Sequence, residues 1–143
     1  MKPEIRAVKI FILLALAAVM LAAAVALPKR LCFEGGEVYT FYCGTSSADC
    51  KEVTAEKNAA AVRLSLKNVC GEAVVYKSFD LDGFLKQVRG RVVFTEELSD
   101  SVNYYCTADL PYSVTVNGHR INLHICVRAD SVKAGSPIIF GGY

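Results

Sequence analysis

Two kinds of hydrophobic pattern divide the chain. Residues 10–27 read IFILLALAAVMLAAAVAL, eighteen apolar positions with no charge, Gly or Pro. Such a run has no polar face, unlike the amphipathic helix of a soluble core. At 1.5 Å per residue it reaches about 27 Å, enough to cross the hydrocarbon layer of a bilayer. Beyond residue 30 the apolar residues recur in short stretches with a period near two or near 3.6. Residues 38–43, VYTFYC, are β-branched and aromatic and predict a strand. Residues 54–69 predict a helix: Thr54 stands at a capping position, an Ala run follows, and Ala59, Val62, Leu66 and Val69 recur at helical spacing. Val62, Leu64 and Leu66 also alternate as a strand would, which is the competing reading. Gly71 supplies a stop signal.

Residues 73–76, AVVY, predict a short strand. Asp80 then caps a short helix that turns Leu81, Phe84, Leu85 and Val88 inward, and Gly90 ends it. Residues 91–95 and 102–107 predict two more strands. The strand–helix–strand order invites a βαβ reading, but the helix is short for a crossover and no dinucleotide-binding fingerprint is present. The clearest local signal is Asn117-Gly118 between two alternating stretches, which predicts a two-residue hairpin turn. Its register sets Val116 opposite His119, Val114 opposite Ile121 and Tyr112 opposite Leu123. Ile125 and Val127 continue the apolar face; Ser113, Thr115, Arg120, Asn122, His124, Cys126 and Arg128 form a polar one. Residues 138–140, Ile-Ile-Phe after Pro137, predict a final extended segment packed on the sheet. Together these elements give an α+β fold: an N-terminal transmembrane or signal helix, then a small mixed or mainly antiparallel sheet of five or six strands with one or two packed helices.

Charge follows the same division. Of sixteen Lys/Arg and fourteen Asp/Glu, five and one lie in residues 1–30, leaving eleven and thirteen in residues 31–143. The later part is therefore near −2, and the chain's net basicity belongs to the flanks of the apolar run. That balance excludes the basic footprint of a nucleic-acid binder. Lys2, Arg6 and Lys9 precede the run and Lys29 and Arg30 follow it, a bias toward a cytoplasmic N-terminus with the domain outside. Residues 1–30 are read as an anchor or signal segment in contact with the lipid bilayer through residues 10–27. Residues 31–143 are read as a single extracytoplasmic domain. The alternative is cleavage after Ala24-Val25-Ala26, releasing a secreted factor that begins at Leu27.

All six cysteines, Cys32, Cys43, Cys50, Cys70, Cys106 and Cys126, follow the run. An even number in a small exported domain predicts a disulfide framework, with Cys43–Cys50 the best local pair. His124 and Cys126 share one side of a strand, a spacing that could serve a metal, although tetrahedral zinc needs two further ligands. Cys106, His124 and Cys126 are the weak candidates for a thiol-dependent site; residues two apart on a strand are roughly 6–7 Å apart, beyond direct proton transfer. The loop at Ser46 and Ser47 lacks the glycines of a phosphate loop or nucleophile elbow. No cofactor motif is present. The chain thus reads as a membrane-tethered extracytoplasmic module for binding, assembly or envelope structure, with an envelope protein as partner and no enzymatic role. The alternative class is a small thiol- or metal-dependent enzyme.

Overall fold

A computed structural model describes residues 3–26, 29–45 and 49–141. Leu27 and Pro28, the Ser46 and Ser47 positions with Ala48, and Gly142 and Tyr143 lie outside the described residues, and with them the first residue after the Ala24-Val25-Ala26 site. The chain divides into two compact units, Met1–Arg30 and Leu31–Tyr143.

The first unit is one helix, α1 (Pro3–Ala26). Its segment Ile5–Val25 has a mean hydropathy of 2.7 and is long and apolar enough to cross a membrane. Its Leu, Ile, Val, Phe and Met side chains lie exposed.

The second unit is the α+β domain. Seven strands form one antiparallel sheet in the order β2-β1-β3-β9-β8-β5-β4. They are β1 (Val38–Cys43), β2 (Lys51–Ala55), β3 (Val69–Tyr76), β4 (Arg91–Glu97), β5 (Val102–Thr107), β8 (Leu123–Val127) and β9 (Val132–Ser136). A two-stranded ribbon, β6 (Val114–Val116) and β7 (His119–Ile121), stands apart from it. Two short helices, α2 (Ala59–Ser65) and α3 (Leu81–Gln87), complete the unit. β3 and β4 flank α3 in sequence but lie four places apart in the sheet, so they form no βαβ unit.

Period-two alternation sorts the side chains. Tyr39 and Phe41 of β1, Val74 and Tyr76 of β3, Val132 and Ala134 of β9, Leu123 and Ile125 of β8, and Cys106 of β5 share one face. Phe33, Ala59 of α2 and Phe84 of α3 join them in one apolar core. The opposite face carries Tyr42, Gly71, Gly135, His124 and Tyr105. The chain after β9 turns through a cis Ser136–Pro137 bond and lies back over this second face. There Tyr42 packs edge-on to Phe140 at 4.8 Å, and the Tyr42 hydroxyl donates to the Phe140 carbonyl at 3.2 Å.

Several elements depart from the sequence pattern. Thr54 belongs to β2, not to a helix, and α2 begins only after Asn58, whose φ of 56° makes a sharp break. The Ala-rich stretch has helix propensity, but residues 51–55 meet the open side of β1 and pair with it from Ala55 opposite Tyr39 to Lys51 opposite Cys43. β9 is an internal strand where the pattern shows only a turn and a tail. Its alternation of small and polar residues carries little hydrophobic signal, and pairing on both sides holds it in place. The hairpin turn forms as expected: Asn117 and Gly118 have φ of 49° and 78°, with Val114 opposite Ile121 and Val116 opposite His119. The ladder stops there, because Asn122 turns aside to hold Ala108 and Leu110, and Leu123 pairs with Cys106.

The disulfide expectation is overturned. All six cysteines are free thiols. Cys50 Sγ and Cys70 Sγ are 4.0 Å apart, about twice the ~2.05 Å of a disulfide. Cys43 and Cys50 are not bonded to each other either, although the Cys50 thiol lies against the Cys43 backbone. The β1–β2 register sets Lys51 opposite Cys43, leaving Cys50 beyond the end of the ladder.

Candidate functional site

His124 and Cys126 project from β8 on the same face, as the alternation predicts. Cys106 does not join them: it pairs with Leu123 across β5 and β8 and so points into the helix-covered core. It is fully buried, and burial pushes its thiol up to about 12, so almost no thiolate exists at neutral pH.

His124 is 1 % exposed. The Ile139 backbone N–H donates to its Nδ1 at 3.3 Å, and its Nε2 lies 2.9 Å from Asn103 Oδ1. These partners fix the tautomer: Nδ1 accepts, and Nε2 carries the proton and donates to Asn103. The ring stacks on Tyr105 at 4.5 Å and 9°, and Tyr105 stacks on Phe94 at 4.4 Å and 16°. Three cross-strand neighbours on β4, β5 and β8 thus form a continuous ladder of rings. Burial pulls the His124 pKa down to about 4, so the ring is neutral at pH 7. With both nitrogens engaged by the fold, neither offers a lone pair to a substrate or a metal. Among the described residues no group of three or more His, Cys, Asp or Glu is placed to hold a metal ion. His119, the other histidine, lies exposed beside Phe94 at 5.9 Å.

Cys126 is 3 % exposed and forms part of a cavity of about 100 Å³ with Val75, Arg128, Ser131 and Lys133. A larger cavity of about 180 Å³ lies on the helix side, between Leu31–Glu34, α3 and Leu110.

A second polar cluster, which sequence reading missed, sits under the helices. Glu72 is fully buried in the middle of β3. Both carboxylate oxygens accept the Cys32 backbone N–H at 3.1 Å. Burial raises the Glu72 pKa; hydrogen bonds from Cys32 and Phe33 and the charge of Arg63 oppose that rise. Burial, then Glu72, pushes the Cys32 thiol well above its ordinary value. Arg63, 5 % exposed on α2, donates from Nη2 to the Tyr112 hydroxyl at 3.0 Å. The cluster therefore fastens the stretch entering the domain to its central sheet and to α2. One signal for it was present in the sequence. Strand alternation puts Glu72 on the same face as Val74 and Tyr76, and a carboxylate on an apolar face requires buried partners.

Comparison with known proteins adds no relative: no family model, curated protein or solved structure matches the chain. The class defined here is a single N-terminal apolar helix followed by an α+β domain with a helix-covered antiparallel sheet.

Proposed function

We propose that the chain is a membrane-tethered extracytoplasmic module that works by binding or assembly. The observation that carries this reading is the apolar helix Ile5–Val25. Its twenty-one residues reach about 31 Å at 1.5 Å each, matching a hydrocarbon core of about 30 Å. Lys2, Arg6 and Lys9 before its uncharged run, against Lys29 and Arg30 after it, favour a cytoplasmic N-terminus. The chemistry of the domain supports binding over turnover, because His124, Glu72 and Cys106 are committed to the packing and hydrogen bonding of the fold.

Fractionation of cells carrying a tagged full chain, with a membrane-impermeant maleimide directed at the half-exposed Cys50, tests this. The expected result is a membrane-bound protein labelled on intact cells. A soluble product labelled only after lysis overturns the topology. An intact mass lacking residues 1–26 replaces the tether with a secreted form.

A further inference from the structure

Where β1, β2 and β3 end together, the fold brings two thiols side by side. Tyr42 pairs with Gly71 and Cys43 with Val69, so Cys70 is the unpaired extra residue of a β-bulge. A bulge takes a side chain out of the regular alternation of its strand. Cys70 Sγ donates to the Tyr42 carbonyl at 3.3 Å. The chain returns to this place just before β2. A Cβ on Gly44 would stand 2.9 Å from the Asp49 carbonyl oxygen and 3.1 Å from Cys50 Cα, so the missing side chain is what lets Cys50 close in. The Cys50 thiol then lies against the Cys43 backbone, 4.0 Å from Cys70 Sγ. Cys106 and Cys126 are buried, as small apolar side chains are. Cys50 and Cys70 are only half-buried, within reach of a solute.

We propose that Cys50 and Cys70 together bind one soft monovalent metal ion of the copper(I) type. The sulfur spacing fits. Two metal–sulfur bonds of ~2.3 Å across 4.0 Å meet at roughly 120°, and parting the sulfurs by about 0.6 Å makes the bonds collinear. A filled-shell monovalent ion accepts such low coordination, and thiolate is the ligand that favours copper(I). Zinc needs four ligands, and among the described residues no third His, Cys, Asp or Glu joins the pair to hold a metal ion. Calcium and magnesium take oxygen ligands, which the pair does not supply. On binding, each S–H bond breaks, its proton passes to solvent, and the sulfur gives an electron pair to the ion. One ion therefore displaces two protons, with no change of oxidation state. The site goes beyond the tethering reading and does not depend on it: a failed topology test leaves metal binding intact, and failed metal binding leaves the topology intact.

The test is a competition titration of the full chain in dodecyl maltoside, reduced and free of oxygen, against the coloured copper(I) complex of bicinchoninate. Loss of colour reports the copper that the protein withdraws. One equivalent is expected to move to the chain. Cys50→Ser and Cys70→Ser should each weaken binding by at least about tenfold, the least that losing even a partner of a metal ligand costs. Cys43→Ser, a neighbouring thiol outside the pair, should leave the affinity unchanged. Circular dichroism of each variant shows whether it folds; two ligand variants at different positions guard against a folding defect in either. X-ray absorption of the copper-loaded chain should show sulfur neighbours on the ion. Failure to withdraw copper, wild-type affinity in folded Cys50→Ser or Cys70→Ser, equal weakening in Cys43→Ser, or displacement of the copper by zinc(II) overturns the proposal.

Discussion

Glu72 carries a carboxylate into the middle of a seven-stranded sheet, where an unpartnered charge would be prohibitive. It persists because the Cys32 and Phe33 backbone and the Arg63 charge meet it there. Removing one member strands the others. Glu72→Ala leaves the Cys32 N–H without its acceptor and removes the negative charge that faces the buried Arg63, and is expected to cost about 3–5 kcal/mol. Glu72→Gln keeps one acceptor oxygen and is expected to cost less. Urea unfolding of the full chain in detergent, read as the midpoint shift, checks the order; equal midpoints for wild type and Glu72→Ala would show that the cluster contributes nothing. Alternation alone placed Glu72 on the inner face. Its partners come from residues 32 and 63, and nothing local in the sequence connects those positions.

Among the elements, the segment after β9 shows how a short apolar stretch becomes structural. The prediction that residues 138–140 pack on the sheet holds, and Ile139 is buried. It packs on the face that the hairpin pattern marks as polar, over His124. Two gaps in side-chain cover admit it. A Cβ on Gly135 would stand 2.9 Å from the Ile138 carbonyl carbon and oxygen, and one on Gly71 would meet the Ser136 carbonyl at 2.9 Å. Gly135→Ala is therefore expected to push the segment off the sheet and destabilise the domain by about 1–3 kcal/mol, the range of overpacking. Hydrogen exchange supplies the check: the Ile139 amide, which donates to His124, should lose protection before the β8 amides do. Unchanged protection at Ile139 would mean that the backbone accommodates the methyl without moving the segment.

At the scale of the whole molecule, His124 and Glu72 give the stability a pH dependence of opposite signs. The folded pKa of His124, about 4, lies below its ordinary 6.5. Between those values the unfolded chain binds more protons, so stability is complete above pH 6.5 and is lost as pH falls toward 4. The loss amounts to about 3 kcal/mol. Glu72 has a raised pKa and acts the other way: just above 4.5 the folded state holds its proton more tightly, so acidification there restores some stability. Urea midpoints measured from pH 7.5 to 4 should fall for the wild type. In His124→Gln that fall should largely vanish; an unchanged slope would assign the acid sensitivity to other groups.

The sequence by itself determined the features that depend on neighbours in the chain. The apolar run needs only its composition to define a membrane-length helix, Asn117-Gly118 needs only its φ preferences to define a turn, and the aromatic and β-branched residues of β1 and β5 need only alternation to define strands. The α+β class follows from these. Tertiary structure decided what depends on distant partners. β2 and β9 formed because neighbouring strands offered open ladders to residues with weak strand signals of their own. Register, and not spacing along the chain, set Lys51 rather than Cys50 opposite Cys43 and turned Cys106 away from His124. The polar face of β8 became an interior because a later segment covered it. Local periodicity specifies which side a residue takes. Only the assembled sheet specifies what lies against that side.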